Sequence, residues 1–415
     1  MKTEIITIGD ELLIGQVVDT NSAWMAKELN KIGFDVYRIT TIGDEREELL
    51  EAFETAIKRV DVVLVTGGIG PTKDDITKKT LCEYFDTDLV FDESVLGNIE
   101  ALFAHRNIPV NELTQSQAYV PRACSVIQNT AGTAPITWFE KDGKVLVSMP
   151  GVPYEMKTAM SNEVLPRLQE KFTPEVHILH RTYSVKGYSE SALAMHLAGW
   201  ENALPAYFKL AYLPQPGIVR LRLTGRNHDL NAMKAEADQL EIKLKELLED
   251  AIYDSSDAPI GEFIGELLKK HNLTFATAES CTGGFIAHLI TSVSGSSSYY
   301  QGGVVSYANE VKEQVLGVSA ETLKEFGAVS EPVAVQMVEG VARITGADVA
   351  VATTGVAGPG GGTPEKPVGT VCIAVKVKDE VRVERFRFGA QRELNIQRSA
   401  NAALFMAAEM IQMQR

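Results

Sequence analysis

Cysteine is scarce: four occur in 415 residues, at positions 82, 124, 281 and 372. They form no Cys-x-x-Cys pair and no Cys/His zinc pattern, so neither a disulfide framework nor a structural zinc site is encoded. A reduced, cytoplasmic setting is therefore expected. The seven histidines make no His-Glu-x-x-His signature, and the close pair His177 and His180 reads as an ordinary strand feature. Long apolar runs are missing, and none approaches the roughly 20 residues that a membrane span needs. The start, Met1-Lys2-Thr3-Glu4-Ile5-Ile6, runs into Asp10-Glu11 without the apolar core of a secretion signal. Dense Lys/Arg runs are also missing. With a net charge of −15, direct gripping of nucleic acid is not expected. Small phosphorylated ligands stay open, because helix N-termini, a few lysines or a metal supply local positive potential.

What is present is the composition of a soluble globular protein, 45% apolar and 23% charged, long enough for two to four domains. Three textures follow one another. Residues 1–170 alternate strands and helices. Glu4 to Ile8 and Phe34 to Thr40 read as strands, Ala23 to Ile32 and Arg46 to Val60 as helices. The short apolar run Val62-Val63-Leu64-Val65 reads as a strand covered on both faces, and Lys144 to Met149 as another strand. This pattern predicts an α/β fold with a parallel sheet wrapped by helices. Residues 174–255 read as a small α+β domain, in which Val219, Leu221 and Leu223 alternate with Arg220, Arg222 and Thr224 before a long helix over 229–248. Asp254 to Pro259 reads as a linker. Residues 256–415 open on an amphipathic helix with Ile260, Phe263, Ile264, Leu267 and Leu268 on one face. A hairpin over 371–388 and a terminal helix over 394–413 close the chain.

Chemistry concentrates where strands end. The loop Thr66-Gly67-Gly68-Ile69-Gly70-Pro71-Thr72-Lys73-Asp74-Asp75-Ile76-Thr77 follows the most apolar strand. Glycine permits close approach of a ligand. The N–H groups around Gly67, Gly68, Gly70 and Thr72 are candidates for holding a phosphate. No Gly-Lys-Ser/Thr is present, and Lys73 stands where the last glycine of Gly-x-Gly-x-x-Gly belongs, so neither nucleotide fingerprint is met. Asp74 and Asp75 suit either helix capping with solvated charge or a hard cation such as Mg²⁺. Asp10, after the first strand, and Asp44, in Gly43-Asp44-Glu45, are further candidates at strand ends, as is the acid of Pro150-Gly151-Val152-Pro153-Tyr154-Glu155. Such a set suits metal-assisted attack on a diphosphate, and equally a site that only binds a phosphorylated cofactor.

The second concentration is Ala278-Glu279-Ser280-Cys281-Thr282-Gly283-Gly284, followed 32 residues after the serine by Lys312. A serine at a helix start, with N–H groups aimed at its target and a desolvated lysine as base, makes a Ser-Lys amidohydrolase. The plain alternative is a helix-capping serine and a solvated lysine. Cys281 is an alternative nucleophile. Tyr307 could relay the proton path, although a buried structural tyrosine is as common. The loop over 355–367, with Gly355, Gly358 and Lys366, is a candidate phosphate holder or a long surface hairpin.

At this point the chain resembles the CinA family over essentially its whole length. Three N-terminal stretches carry the resemblance: Gly9 to Gly15, Thr66 to Thr77 and Met149 to Pro153. Two C-terminal ones add to it: Ala278 to Gly284 and Gly355 to Pro359. One departure is Ile136, where the pattern has glycine. The resemblance implies a molybdopterin-binding-like parallel-sheet domain in front, acting as an ADP-ribose pyrophosphatase dependent on Mg²⁺, Mn²⁺ or Co²⁺. It implies a KH-like α+β middle domain and a C-terminal α/β deamidase domain. That last domain converts nicotinamide mononucleotide (NMN) to nicotinate mononucleotide and ammonia, with no cofactor. Carried over, the nucleophile falls on Ser280, the base on Lys312 and a supporting tyrosine on Tyr307. Thr282, Gly283 and Gly284 fall in the substrate-binding turn. The metal acids fall on Asp75 and Asp44, then on Asp10 and Asp74. A homodimer acting on nucleotides, without membrane or nucleic-acid partners, is the expectation. The rival from another class is a non-catalytic molybdopterin-like ligand-binding protein that partners DNA uptake or recombination.

Overall fold

The structure is a computed structural model that describes residues 1–72, 75–104, 109–173, 176–254 and 258–414. It divides into two compact units, residues 1–179 with 225–235, and residues 180–224 with 236–415.

The first unit is built on β1 (Lys2–Ile8), β2 (Asp35–Ile42), β3 (Val62–Thr66), β4 (Leu89–Phe91), β5 (Tyr119–Pro121), β6 (Ser125–Ile127), β7 (Ile136–Lys141) and β8 (Lys144–Met149). Six of them form one sheet in the order β2-β1-β3-β8-β7-β6, and β4 pairs with β5 separately. β3 is buried at all five residues, as a strand covered by helices on both faces must be. Helices Thr20–Lys31 and Pro153–Ala159 set Met25, Leu29 and Met156 against one face. Helices Arg46–Arg59 and Thr77–Tyr84 set Leu49, Phe53 and Leu81 against the other. Each such side chain, fully buried, contributes about 1.5–3 kcal/mol.

The sheet is not wholly parallel as expected. β2, β1, β3 and β8 run parallel, while β7 is antiparallel to both neighbours. The cause is local. Asp142 and Gly143 both adopt positive φ, 52° and 76°, which is the Asp-Gly hairpin turn that folds β7 back on β8. Ile136 begins β7 and is fully buried, so the departure from the family pattern is absorbed by the core.

A further sheet, most of whose residues fall in the second unit, comprises β9 (His177–Lys186), β10 (Phe208–Gln215), β11 (Ile218–Asn227) and β12 (Ile252–Asp254) in the order β10-β11-β9-β12. Val219, Leu221 and Leu223 are buried in β11, as the alternation predicts. Helix Leu230–Leu248 is also as expected, whereas helix Glu190–Asn202 was not foreseen. Of the expected linker, residues 255–257 lie outside the described residues.

A second sheet in this unit comprises β13 (Phe275–Glu279), β14 (Tyr300–Val305), β15 (Val349–Gly355), β16 (Thr370–Val377) and β17 (Glu380–Arg387), in the order β14-β13-β15-β16-β17. β14, β13 and β15 are parallel, and β15, β16 and β17 antiparallel. Helices Ile260–His271 and Arg392–Met413 cover one face through Ile264, Leu268, Leu404 and Ile411. Helix Glu331–Thr345 covers the other through Ala334, Met337, Val338 and Val341. Parallel pairing brings the carboxyl ends of β13 and β14 side by side, with Glu279 opposite Val305. Ser280 and the segment leading to Lys312 leave the sheet there.

Candidate active sites

Ser280 follows the last residue of β13, and its N–H donates to the Thr353 carbonyl of β15 at 2.9 Å. The chain then turns through Cys281 to Gly284. Gly283 and Gly284 have φ of 62° and 99°, the left-handed region that glycine enters without cost. The helix begins only at Phe285 and runs to Thr291. Ser280 is thus not at the helix start, as the sequence suggested, but on a turn one step before it.

Lys312 lies in helix Asn309–Gln314, which follows β14. Its side chain is 1% exposed, and Nζ stands 3.2 Å from Ser280 Oγ. The amine also donates to the Ser306 carbonyl at 2.6 Å and approaches the Tyr307 carbonyl at 3.5 Å. Burial pushes the ammonium below its ordinary value, against a smaller upward pull from Cys281 and Glu310. A lysine placed in this way can shed its proton and accept one from a hydroxyl. Burial also pushes the Cys281 thiol up to about 12, so the neighbouring cysteine is a buried neutral thiol and a poor nucleophile.

Sequence reasoning missed Glu279. Its carboxylate is fully buried and accepts from the N–H groups of Gly284, Ile286 and Ala287 at 3.0, 3.0 and 2.8 Å. The donors at the helix start are therefore already satisfied, and the expected oxyanion donors are not those. The turn's own Gly283 N–H bonds the Ser280 carbonyl, and Phe285 N–H bonds Thr282. Among the described residues, the N–H groups of Cys281 and Thr282 have no acceptor and are the donors left beside Ser280. Thr282 itself is held by its hydroxyl, 2.7 Å from that of Thr353. An acid directly before a turn that enters a helix is a capping signal, and it was legible in Glu279-Ser280.

Tyr307 is brought near through its backbone, not its ring. The side chain is 61% exposed, and its hydroxyl accepts from Arg392 at 3.0 Å. Arg392 also donates to the Gly358 carbonyl at 2.9 Å, tying Tyr307 to the glycine-rich loop. Lys366 donates to the Phe326 carbonyl at 2.5 Å, so its ammonium is engaged in holding that loop. Gly355 ends β15, where a Cβ would lie 2.7 Å from Val371.

In the first unit a cleft of about 480 Å³ opens at the carboxyl ends of β1, β3 and β8. Gly67, Gly68 and Gly70 form its floor, with Asp44, Asp75, Glu11 and Glu155 on its walls. Gly67 is obligatory, since a Cβ there would lie 2.2 Å from the Ile8 carbonyl oxygen. Asp75 turns inward on its own loop. It accepts from the N–H of Gly70 at 2.7 Å and of Thr72 at 2.9 Å, and from the Thr72 hydroxyl. Asp10 and Asp44 cross-bond, each carboxylate accepting from the other's N–H at 3.3 and 3.4 Å. Burial pushes the Asp44 carboxyl up; the Asp10 N–H opposes this, and the charges of Asp10, Glu11 and Asp75 reinforce it. Asp74 lies outside the described residues. Asp10 does not line the cleft.

Among the described residues no three acidic, His or Cys side chains converge as a closed metal cage. The donor chemistry nonetheless fits a hard cation of the Mg²⁺ type. Such an ion takes one or two carboxylates and completes its shell with water and substrate phosphate. Asp44, pushed up by burial and by the like charges around it, is a carboxylate that a cation would relieve.

Residues 257–411 match the family described as CinA C-terminal domain, residues 4–170 the probable molybdopterin binding domain, and residues 180–253 the damage-inducible protein CinA KH domain. A CinA-like protein of Cytophaga hutchinsonii is 46% identical over 97% of this chain and 96% of its own length. Another from Flavobacterium psychrophilum is 46% identical over 98% of this chain and 97% of its own. A crystal structure of the competence/damage inducible protein CihA from Agrobacterium tumefaciens is 40% identical, covers 39% of this chain and 98% of its own, and aligns with a TM-score of 0.34.

Proposed function

Because the chain belongs to the CinA family, we propose that it is a hydrolase of pyridine nucleotides. The C-terminal site would convert NMN to nicotinate mononucleotide and ammonia. The observation that carries this reading is the 3.2 Å approach of the buried Lys312 amine to the Ser280 hydroxyl. Lys312, neutral, takes the hydroxyl proton as Ser280 Oγ bonds to the carboxamide carbon. The carbonyl oxygen gains the negative charge, and the free N–H groups of Cys281 and Thr282 supply donors for it. An oxyanion donor is commonly worth about 3–4 kcal/mol. Lys312 returns the proton to the departing nitrogen, which leaves as ammonia. Water then adds to the nicotinoyl ester, giving up a proton to Lys312, and Ser280 leaves with that proton restored. Glu279 holds the turn in place throughout, and Arg392 holds Tyr307 against the loop.

The N-terminal cleft supports a second activity, cleavage of the diphosphate of ADP-ribose. Asp44, with Glu11 and Asp75 nearby, would hold a divalent cation, which when bound polarises phosphoryl oxygens and acidifies water. The glycine floor lets a phosphate approach the backbone, and Asp75 keeps that loop in shape. The test uses the full chain. Wild type is expected to release ammonia from NMN and Ser280→Ala to release none above background. If the variant retains release, the nucleophile is misassigned. If the wild type binds nucleotides but turns over neither NMN nor ADP-ribose, the non-catalytic reading replaces this one.

A further inference from the structure

The glycine loop has a second side. Across it from the cleft lies a separate cavity of about 310 Å³, which shares Gly70, Pro71 and Asp75 with the cleft as a common wall. Lys78 and Lys79, from the first turn of helix Thr77–Tyr84, face it together with Gln117 and Tyr119. Lys78 Nζ donates to the side-chain oxygen of Gln117 at 3.0 Å and to its carbonyl at 3.4 Å. Among the described residues neither lysine pairs with a carboxylate.

Gln117 is 1% exposed. A lysine can only donate, so the amide oxygen must face Lys78, and the amide NH₂ is left over. Among the described residues that nitrogen has no partner. A buried donor without an acceptor is costly and rare. The helix start beside it carries no side-chain cap either. Asp75, the carboxylate on the shared wall, has both oxygens engaged by its own loop. Among the described residues the wall presents the Lys78 and Lys79 ammonium groups and the Gln117 NH₂ as donors. Burial pushes Lys78 down to about 8, against smaller upward pulls from Cys82, Asp75 and Cys124.

We propose that this cavity is an anion subsite, in which Lys78, Lys79 and the Gln117 amide receive a phosphate group of a ligand that reaches across the glycine loop from the cleft. Tyr119, 46% exposed and edge-on to Phe91, flanks the subsite and offers a face to the sugar or base attached to that phosphate. Only the identity of the ligand rests on the ADP-ribose reading; the anion chemistry does not.

The test is a titration of the full chain, wild type, Lys78→Met and Lys79→Met, with three probes: inorganic phosphate, ADP-ribose and adenosine. Binding is read by calorimetry, and the Gln117 side-chain NH₂ is followed by nitrogen-15 NMR. Phosphate and ADP-ribose should each move the Gln117 signal in the wild type. Lys78→Met should weaken both by about tenfold or more, the usual size of a charge-assisted bond, and Lys79→Met by less. Adenosine should be indifferent to either change. A response to phosphate alone leaves the subsite standing and removes ADP-ribose as its ligand. If phosphate leaves the Gln117 signal unmoved, or binds equally well to both variants, the subsite is refuted whatever the chain hydrolyses. The wild-type NMR arm decides this even if a variant folds poorly.

Discussion

Glu279→Ala should be the most damaging single change near the C-terminal site, although Glu279 touches no substrate. Its carboxylate accepts three backbone N–H bonds of 2.8–3.0 Å in a fully buried position. Bonds to a charged group are worth about 1.5–3 kcal/mol each, and orphaned buried donors about 1–3 kcal/mol. The three are not additive, because water can reach part of the void left by the side chain. We therefore expect a loss of about 4 kcal/mol for Ala. Glu279→Gln sharpens the test. One oxygen, Oε2, serves both Gly284 and Ile286, while Oε1 serves Ala287. An amide can place its oxygen at the first position, but then points NH₂ at the Ala287 N–H. The expected cost is about 2 kcal/mol, roughly half. Hydrogen exchange at these three amides reads the effect locally, free of the two-state assumption that a chain of several domains would violate. Protection should fall at all three in Ala and mainly at Ala287 in Gln. Unchanged protection in both variants, or equal losses at all three amides in Gln, would refute the reasoning.

Further outcomes are expected. Ser280→Ala should lower ammonia release from NMN roughly a thousandfold or more. Cys281→Ala should keep most of it, because that thiol is held neutral; equal losses would point to the cysteine. The acid limb of the pH profile of kcat/KM should report Lys312. Activity requires the neutral amine, so it rises with pH through a value below the ordinary 10.5, and Lys312→Met should remove the limb along with a factor of about 10²–10⁴ in rate. Between that lowered value and 10.5 the unfolded chain binds a proton that the folded chain does not, so this site's share of stability rises with pH. Gly67→Ala should cost about 3 kcal/mol or more, since its Cβ would lie 2.2 Å from a backbone oxygen at a φ of 110°. Thermal unfolding of the full chain checks this, and an unaltered midpoint would show that the floor of the cleft can yield.

Much of the architecture could be read because local signals agreed with the fold. The apolar run at 62–65, the alternation at 219–223 and the amphipathic helix after 259 all became the predicted elements. The readings that failed did so where a local turn or a competing partner decided the outcome. The antiparallel β7 went unseen although its Asp-Gly turn was in view. The helix-start amides were assigned to an oxyanion, while Glu279 had already taken them. Tyr307 was assigned to the Ser280–Lys312 pair, while Arg392 held its hydroxyl.

By its sequence alone this protein declared its alternating sheet pattern, its glycine turns at strand ends, and a serine and a lysine 32 positions apart. Those are properties of neighbouring residues or of side-chain chemistry, and propensity and pattern express them directly. The tertiary structure alone decided that the two groups meet, because parallel pairing of β13 with β14 sets their carboxyl ends together. It alone also decided that the meeting place is dry. Desolvation depends on everything packed around a group, and no spacing along the chain encodes it.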